Sequence, residues 1–234
     1  MNHLKRMFIL TGHRGARALS PENTLPSFLK ALECGATGVE FDVRKTADGI
    51  PVIIHDDELK LLTGVEARVS QLAFNELSKL KVLGAARIPT LREVLALAKG
   101  RLYVDIEIKV PGVEEEVADA LRELGMIQDA LVTSFLPGTL EQVKKIEPRV
   151  EVGLLLEEWD EEYLELAQKI GAKAILPAYE IITYDLVQKV KSQGYALITW
   201  TVNNLQDATH LLSLGVDGII TDDPCQLQQI KRLA

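Results

Sequence analysis

Five times along this chain an amphipathic stretch ends in glycine, passes through two or three small or polar residues, and resumes as a β-branched run. The glycines are Gly35, Gly125, Gly171, Gly194 and Gly215. Glycine just past a helix supplies a left-handed cap, and the run that follows is a strand. Helix and strand therefore alternate, which implies parallel strands joined by helical crossovers. With 234 residues, 47% of them apolar, the chain can bury one substantial core, so 1–234 is read as a single domain.

Strand candidates fall at residues 8–11, 38–43, 51–54, 102–108, 130–134, 150–156, 174–177, 196–202 and 216–221. Only residues 44–50 separate the second from the third, and a parallel crossover needs about a dozen residues. Asp48-Gly49 is a hairpin signal, so the third run is expected to fold back antiparallel on an extension of the second. Eight parallel strands remain, the number that closes a barrel. Thr24, ahead of Leu25 and Pro26, suits a helix N-cap, and Thr90 to Glu93 has capping-box spacing. Residues 57–89 are the least regular and are read as an insertion near the barrel mouth, with a short helix at 71–80.

Net charge −8 disfavours a nucleic-acid surface, which needs clustered Lys and Arg; a small anionic substrate is compatible, since local charge in a pocket can oppose the global sign. Cys34 and Cys225 fit no metal-ligand spacing and are expected to be free thiols, an argument for a reducing compartment. The apolar run Met7 to Leu10 is too short for a signal-peptide core, and no stretch approaches a membrane span. The expectation is a cytoplasmic protein with residues 1–6 as a dispensable lead.

Several strand ends carry chemistry: His13-Arg14-Gly15, Glu40-Phe41-Asp42, His55-Asp56 and Glu107-Ile108-Lys109. Side chains alternate along a strand, so Glu40 and Asp42 share one face, as do Asp105, Glu107 and Lys109, while the intervening valines, isoleucines and Phe41 share the other. The charged face points to the barrel axis. Three inward carboxylates cannot be buried together unpaired, and a divalent cation resolves the conflict. All-oxygen ligation by Glu40, Asp42 and Glu107 suits Mg²⁺ or Ca²⁺. A salt-bridge layer with Arg14, Arg44 and Lys109 is the alternative, but it leaves two histidines unexplained. Of four histidines, His3 is terminal and His210 reads as helix surface; His13 and His55 end strands in the carboxylate-lined mouth, where imidazole suits proton transfer. A metal, two acid/base histidines and two cations for anionic oxygens equip a site for phosphate-ester cleavage.

In order from residue 12 to about 224, His13-Arg14-Gly15, Pro21-Glu22-Asn23-Thr24, Gly38 to Val43, Thr46-Ala47-Asp48-Gly49, His55-Asp56, Ile88 to Leu91, Ile106 to Lys109 and Trp200-Thr201-Val202-Asn203 resemble the glycerophosphodiester phosphodiesterases. The resemblance implies a (β/α)₈ TIM barrel that hydrolyses glycerophosphodiesters to sn-glycerol 3-phosphate and an alcohol with Mg²⁺ or Ca²⁺. Position by position it implies Glu40, Asp42 and Glu107 as metal ligands, His13 and His55 as the acid/base pair, and Arg14 and Lys109 as phosphate contacts. Trp200 lines the glycerol side by the same analogy, or fills the barrel. Glu22 and Asn23 tie the first loop to the site, although helix capping explains Asn23 equally well. The pattern breaks after His55-Asp56, where Leu59 to Gly64 replaces the arginine and paired threonines of many relatives, leaving alcohol specificity open.

Three other readings stand beside this one. A lysophospholipase D needs an apolar lip, for which residues 59–62 and 82–86 are the candidates. A Schiff-base aldolase would use Lys109 as nucleophile and leave Glu40, Asp42 and His55 without a joint role. A catalytically silent barrel would bind ligand without turnover.

Overall fold

The computed structural model describes residues 10–232; the lead, His3 and the start of the first expected strand lie outside them. Eight strands form a closed parallel ring: β1 (Leu10–Gly12), β2 (Gly38–Lys45), β6 (Tyr103–Ile108), β7 (Ala130–Ser134), β8 (Glu151–Leu156), β9 (Ala174–Pro177), β10 (Ala196–Thr199) and β11 (Gly218–Thr221). Each pairs with the next, and β1 pairs with both β2 and β11, so no strand edge is left open. Helices connect the strands, among them α1 (Leu25–Glu33) after β1 and α4 (Leu91–Ala98) before β6. This is a TIM barrel. The short strand β3 (Pro51–Ile53) pairs antiparallel with β2, Val43 opposite Ile53, as the Asp48-Gly49 turn requires. Strand boundaries fall within a few residues of expectation, the largest difference being β10, which ends at Thr199 rather than at residue 202.

Strand alternation divides the interior into two apolar regions. Val39, Phe41, Val43, Val104, Ile106 and Ile108 pack outward against the helices, whereas Tyr103, Leu131, Leu155, Leu176, Ile198 and Ile220 pack along the axis. In register across the β2–β6 ladder, Glu40 stands opposite Asp105 and Asp42 opposite Glu107. The inside of the barrel is thus apolar over most of its circumference and acidic at β2 and β6. Thr24 caps α1 by accepting from the Ser27 N–H, and Thr90 with Glu93 forms a reciprocal capping box on α4.

The insertion carries a core of its own, in which Leu59, Val69, Leu77, Val82 and Ile88 close on Val52 and Ile54. It begins with a single helical turn, α2 (Lys60–Thr63). The expected helix over 71–80 shortens to α3 (Phe74–Leu77), preceded by a 3-10 turn, Val69–Gln71, and followed by a two-residue hairpin of β4 (Lys81–Val82) and β5 (Ala86–Arg87). Leu72, Phe74, Leu77 and Leu80 all point to this small core, which a few turns satisfy without a longer helix.

Cys34 and Cys225 are not free thiols: they form a disulfide, with Cα atoms 4.4 Å apart across 191 residues of sequence. Cys34 follows α1, and Cys225 follows β11. Barrel closure makes β1 and β11 neighbours, a proximity invisible to sequence spacing. The argument for a reducing compartment therefore loses its basis. Among the described residues no helix is long and apolar enough to cross a membrane. Because the bond closes a long loop in the unfolded chain, its removal is expected to cost about 2–4 kcal/mol. Cys34→Ser should lower Tm by roughly 5–15 °C in calorimetry, with reductant producing the same shift in the unsubstituted protein. A change below about 2 °C would show that the bond contributes little.

Candidate active site

The first loop turns sharply after β1. Arg14 has φ +50° and Gly15 φ +86°, and a Cβ on Gly15 would lie 2.4 Å from Ser27 Oγ and 2.6 Å from the Ser27 carbonyl carbon. Only glycine fits there. The turn aims the Arg14 backbone N–H at Glu40 Oε2 (2.8 Å), while its guanidinium donates to Glu22 Oε1 (2.8 Å) and lies 3.3 Å from Asp42 Oδ2. Glu22 thus holds Arg14 in place. Asn23, with φ +55°, donates from Nδ2 to Asp42 Oδ2 at 2.8 Å. Its role is to orient that carboxylate, and capping falls to Thr24.

Glu40, Asp42 and Glu107 each present an oxygen within 4.8 Å of the others. Glu40 and Asp42 are 4% and 1% exposed, and Glu40 Oε1 and Asp42 Oδ1 have no hydrogen-bond partner. Buried carboxylate oxygens left this way are costly, and three converging oxygen donors match the preference of a hard divalent cation. The residues present therefore fit a metal.

The cationic side is equally specific. Lys109 Nζ donates to Glu107 Oε1 (2.6 Å), lies 3.8 Å from Asp42 Oδ1, and stands 3.2 Å from His55 Nε2. An ammonium only donates, so His55 Nε2 accepts and Nδ1 carries the proton toward Asp56 Oδ1, 2.8 Å away. Arg44 does not join the layer; its Nε donates to the His55 carbonyl (2.5 Å) and fixes the end of β3. On the opposite wall His13 donates its backbone N–H to the Thr221 carbonyl (2.8 Å), its Nδ1 lies 2.6 Å from Asp222 Oδ1, and its Nε2 lies 4.0 Å from Glu40 Oε2.

Electrostatics follow from burial and neighbours. Burial, then Asp42, pushes Glu107 up to about 7 against the pull of Lys109. Burial, followed by Asp42 and Glu107, raises Glu40 well above the carboxylate range. For Asp42 burial acts upward, but Arg14, His55 and Lys109 outweigh it and hold the group below its ordinary value. Burial lowers His55, with Arg14 and Lys109 adding to the effect and Asp42 opposing it. Asp105, buried beneath the cluster and bonded by Thr133 Oγ1 at 2.6 Å, is pushed up to about 7, chiefly by burial.

His13, Arg14, Glu40, His55, Glu107, Lys109 and Trp200 all line one cavity of about 330 Å³. Trp200 is anchored by its Nε1 donating to the Leu176 carbonyl (2.9 Å), meets Phe135 edge to face at 5.7 Å, and packs on the apolar interior, so it both lines the cavity and fills the barrel. Of the residues expected at the site, Asp42 alone does not line this cavity; it is buried beside it, with an oxygen within 4.8 Å of Glu40 and Glu107. Sequence reasoning missed Asp222, Phe135 and Glu157; the last two also line the cavity. Thr221-Asp222 ends the last barrel strand, the same signal that singled out the other strand ends.

Comparison with known proteins agrees with the fold. The profile of the glycerophosphoryl diester phosphodiesterase family matches residues 13–226. A glycerophosphodiester phosphodiesterase of Caldanaerobacter subterraneus subsp. tengcongensis is 36% identical, the alignment covering 96% of this chain and 98% of that one. Among solved structures, an Oleispira antarctica phosphodiesterase in complex with the product sn-glycerol-3-phosphate superposes with TM-score 0.89 at 26% identity, covering 98% of this chain and 99% of the other. A glycerophosphodiester phosphodiesterase of Thermotoga maritima gives TM-score 0.78 at 29% identity, covering 95% and 98%. With a family match over nearly its whole length and a relative of this identity aligned almost end to end, the chain belongs to the glycerophosphoryl diester phosphodiesterase family.

Proposed function

We propose that this protein hydrolyses small glycerophosphodiesters to sn-glycerol 3-phosphate and an alcohol, using a divalent cation, Mg²⁺ or Ca²⁺, and two histidines. The observation that carries the reading is the convergence of two cations, two histidines and carboxylates with unpartnered oxygens on a single cavity. Glu40, Asp42 and Glu107 are the proposed ligands; when bound, the cation supplies charge stabilisation to phosphoryl oxygens. Arg14 and Lys109 hold the remaining phosphate oxygens. Lys109 is already ion-paired to Glu107 and Asp42, an arrangement that favours a fixed cation over an aldolase nucleophile.

His55, neutral and accepting at Nε2, is suited to take the proton from the attacking oxygen, and His13 to give one to the leaving alkoxide. An alkoxide is a poor leaving group, so the proton matters. Trp200 and Phe135 provide the apolar wall for the glycerol carbons.

One observation favours a second substrate class. Leu61 and Leu83 are 81% and 63% exposed and belong to adjoining parts of the insertion, where the Leu83 N–H bonds the Leu62 carbonyl. Two exposed leucines on one insertion are the kind of apolar surface a lysophospholipid chain would use.

Three measurements test these assignments. Chelated protein given glycerophosphocholine, glycerophosphoethanolamine or a lysophospholipid should release glycerol 3-phosphate from the first two only after Mg²⁺ or Ca²⁺ is added; lysophosphatidic acid as sole product would transfer the assignment to lysophospholipase D. His13→Ala and His55→Ala should each cut kcat by roughly 10²–10⁴ with the fold intact, and near-normal turnover in either would remove that residue from the mechanism. The third concerns pH. Glu107 and Glu40 are raised above their unfolded values, so the metal-free fold binds extra protons, and the Glu107 contribution to stability falls as pH rises from about 4.5 to about 7. Cation binding must expel those protons. The Tm gain on adding cation should therefore be larger at pH 8 than at pH 5, and Glu40→Gln should diminish it; a gain independent of pH would contradict ligation by these groups.

A further inference from the structure

His13 is the one proposed proton carrier whose partner comes from the far end of the chain. Its Nδ1 lies 2.6 Å from Asp222 Oδ1, across 209 residues. Asp222 is itself held on several sides. Asn203 Nδ2 donates to Asp222 Oδ2 (2.9 Å), the Asp222 N–H donates to Asn203 Oδ1 (2.9 Å), Thr221 Oγ1 donates to the same amide oxygen (3.2 Å), and the Asp222 carbonyl accepts from the Ala18 N–H (3.0 Å). Arg17 Nε stands 3.8 Å from Oδ1. These bonds fix the Asp222 backbone and the Asn203 amide, and Asn203 holds Oδ2 so that Oδ1 faces His13.

The chemistry of the contact is one-directional. An ionised carboxylate only accepts, so the proton of the short contact belongs to His13 Nδ1. That leaves Nε2, the nitrogen facing the carboxylate cluster 4.0 Å from Glu40 Oε2, as the position where a proton is exchanged. Two ring nitrogens are chemically distinct, and the hydrogen bond made by one decides what the other can do. Asn203 secures the carboxylate in turn. Its amide oxygen takes the Asp222 N–H and its amide nitrogen donates to Oδ2, so rotation of the carboxylate breaks the Asn203 bond to Oδ2 together with the His13 bond to Oδ1.

We infer that Asp222, clamped by Asn203, is a positioning residue that fixes the Nδ1–H tautomer of His13 and aims Nε2 into the cavity. The inference rests on the proton-transfer role proposed for His13. Asp222 touches neither the proposed metal ligands nor the cavity, so its loss should leave substrate and cation binding in place and act on turnover. Where an aspartate that orients a catalytic imidazole is replaced by asparagine, the wrong tautomer costs up to about 10⁴ in kcat.

The test uses ¹⁵N-histidine-labelled full-length protein loaded with Mg²⁺, comparing Asp222→Asn, Asn203→Ala and the unsubstituted chain. In the unsubstituted protein the neutral His13 ring should carry its proton on Nδ1; in Asp222→Asn the amide can present N–H to Nδ1, and the proton should move to Nε2. With glycerophosphocholine, kcat should fall roughly 10²–10⁴-fold in Asp222→Asn and by a smaller factor in Asn203→Ala, while KM and the Mg²⁺ titration midpoint stay within about twofold. An Nε2–H tautomer in the unsubstituted protein, or an unchanged tautomer in Asp222→Asn whatever its kcat, would overturn the inference. Should Asp222→Asn not fold, the Asn203→Ala spectrum decides: a mixed tautomer supports the clamp, and pure Nδ1–H with undiminished kcat refutes it. The functional reading fails differently, through undiminished activity in His13→Ala, and leaves the tautomer result standing.

Discussion

Burying carboxylates on the axis of a barrel is the constraint around which the rest of this structure is arranged. Glu40 and Asp42 on β2 stand in register with Asp105 and Glu107 on β6, in an interior otherwise lined with leucine, isoleucine and alanine. Each ionised carboxylate withdrawn from water costs several kcal/mol unless paired. Arg14, Lys109 and Asn23 supply part of the compensation from one side, and Thr133 from beneath. Glu40 Oε1 and Asp42 Oδ1 remain without a hydrogen-bond partner. The fold therefore holds a partly uncompensated cluster at the mouth, a stored demand for positive charge that binding can meet. The same low-dielectric wall that makes the cluster costly strengthens every interaction a phosphate would make with Arg14 and Lys109.

Closure of the ring is the second requirement, because the site takes residues from β1, β2, β6 and β11 and the loops that follow them. The three residues of β1 that lie among those described pair on both flanks. Its end carries His13 and Arg14 toward Glu40 on one neighbour and Asp222 on the other. Cys34–Cys225 reinforces the same seam, tying the segment after α1 to the residues just past Asp222. Stability and chemistry thus meet at the junction of the chain's two ends.

What was readable in the sequence is what local physics determines. Strand runs, capping glycines, the Asp48-Gly49 hairpin and the inward side of Glu40, Asp42 and Glu107 depend on residues a few positions apart. The shared cavity of His13, His55, Arg14, Lys109 and Trp200 followed from placing those groups at strand ends of one barrel. The disulfide and the Asp222 contact did not follow, since each joins residues about two hundred positions apart and depends on which strands become neighbours at closure. Residues 57–89 resisted for another reason. Their small core is filled by side chains from turns, a 3-10 segment and two-residue strands, none long enough to impose a periodicity.

The two histidines show how one residue type acquires two environments. Asp56 follows His55 directly and is 49% exposed on its side chain, whereas Asp222 reaches His13 from the opposite end of the chain and is 24% exposed. His55 also faces the Lys109 ammonium, while His13 Nε2 faces Glu40. Burial lowers His55, and the Lys109 ammonium beside its ring adds to that effect, whereas His13 stands between two carboxylates. The difference therefore originates in barrel geometry: strand β3 returns His55 to the lysine at the end of β6, and β1 lies between β2 and β11, which places carboxylates on both sides of His13. The proposed exchange of protons across a phosphate between the two rings would draw on that asymmetry, and the order of strands around the barrel supplies it.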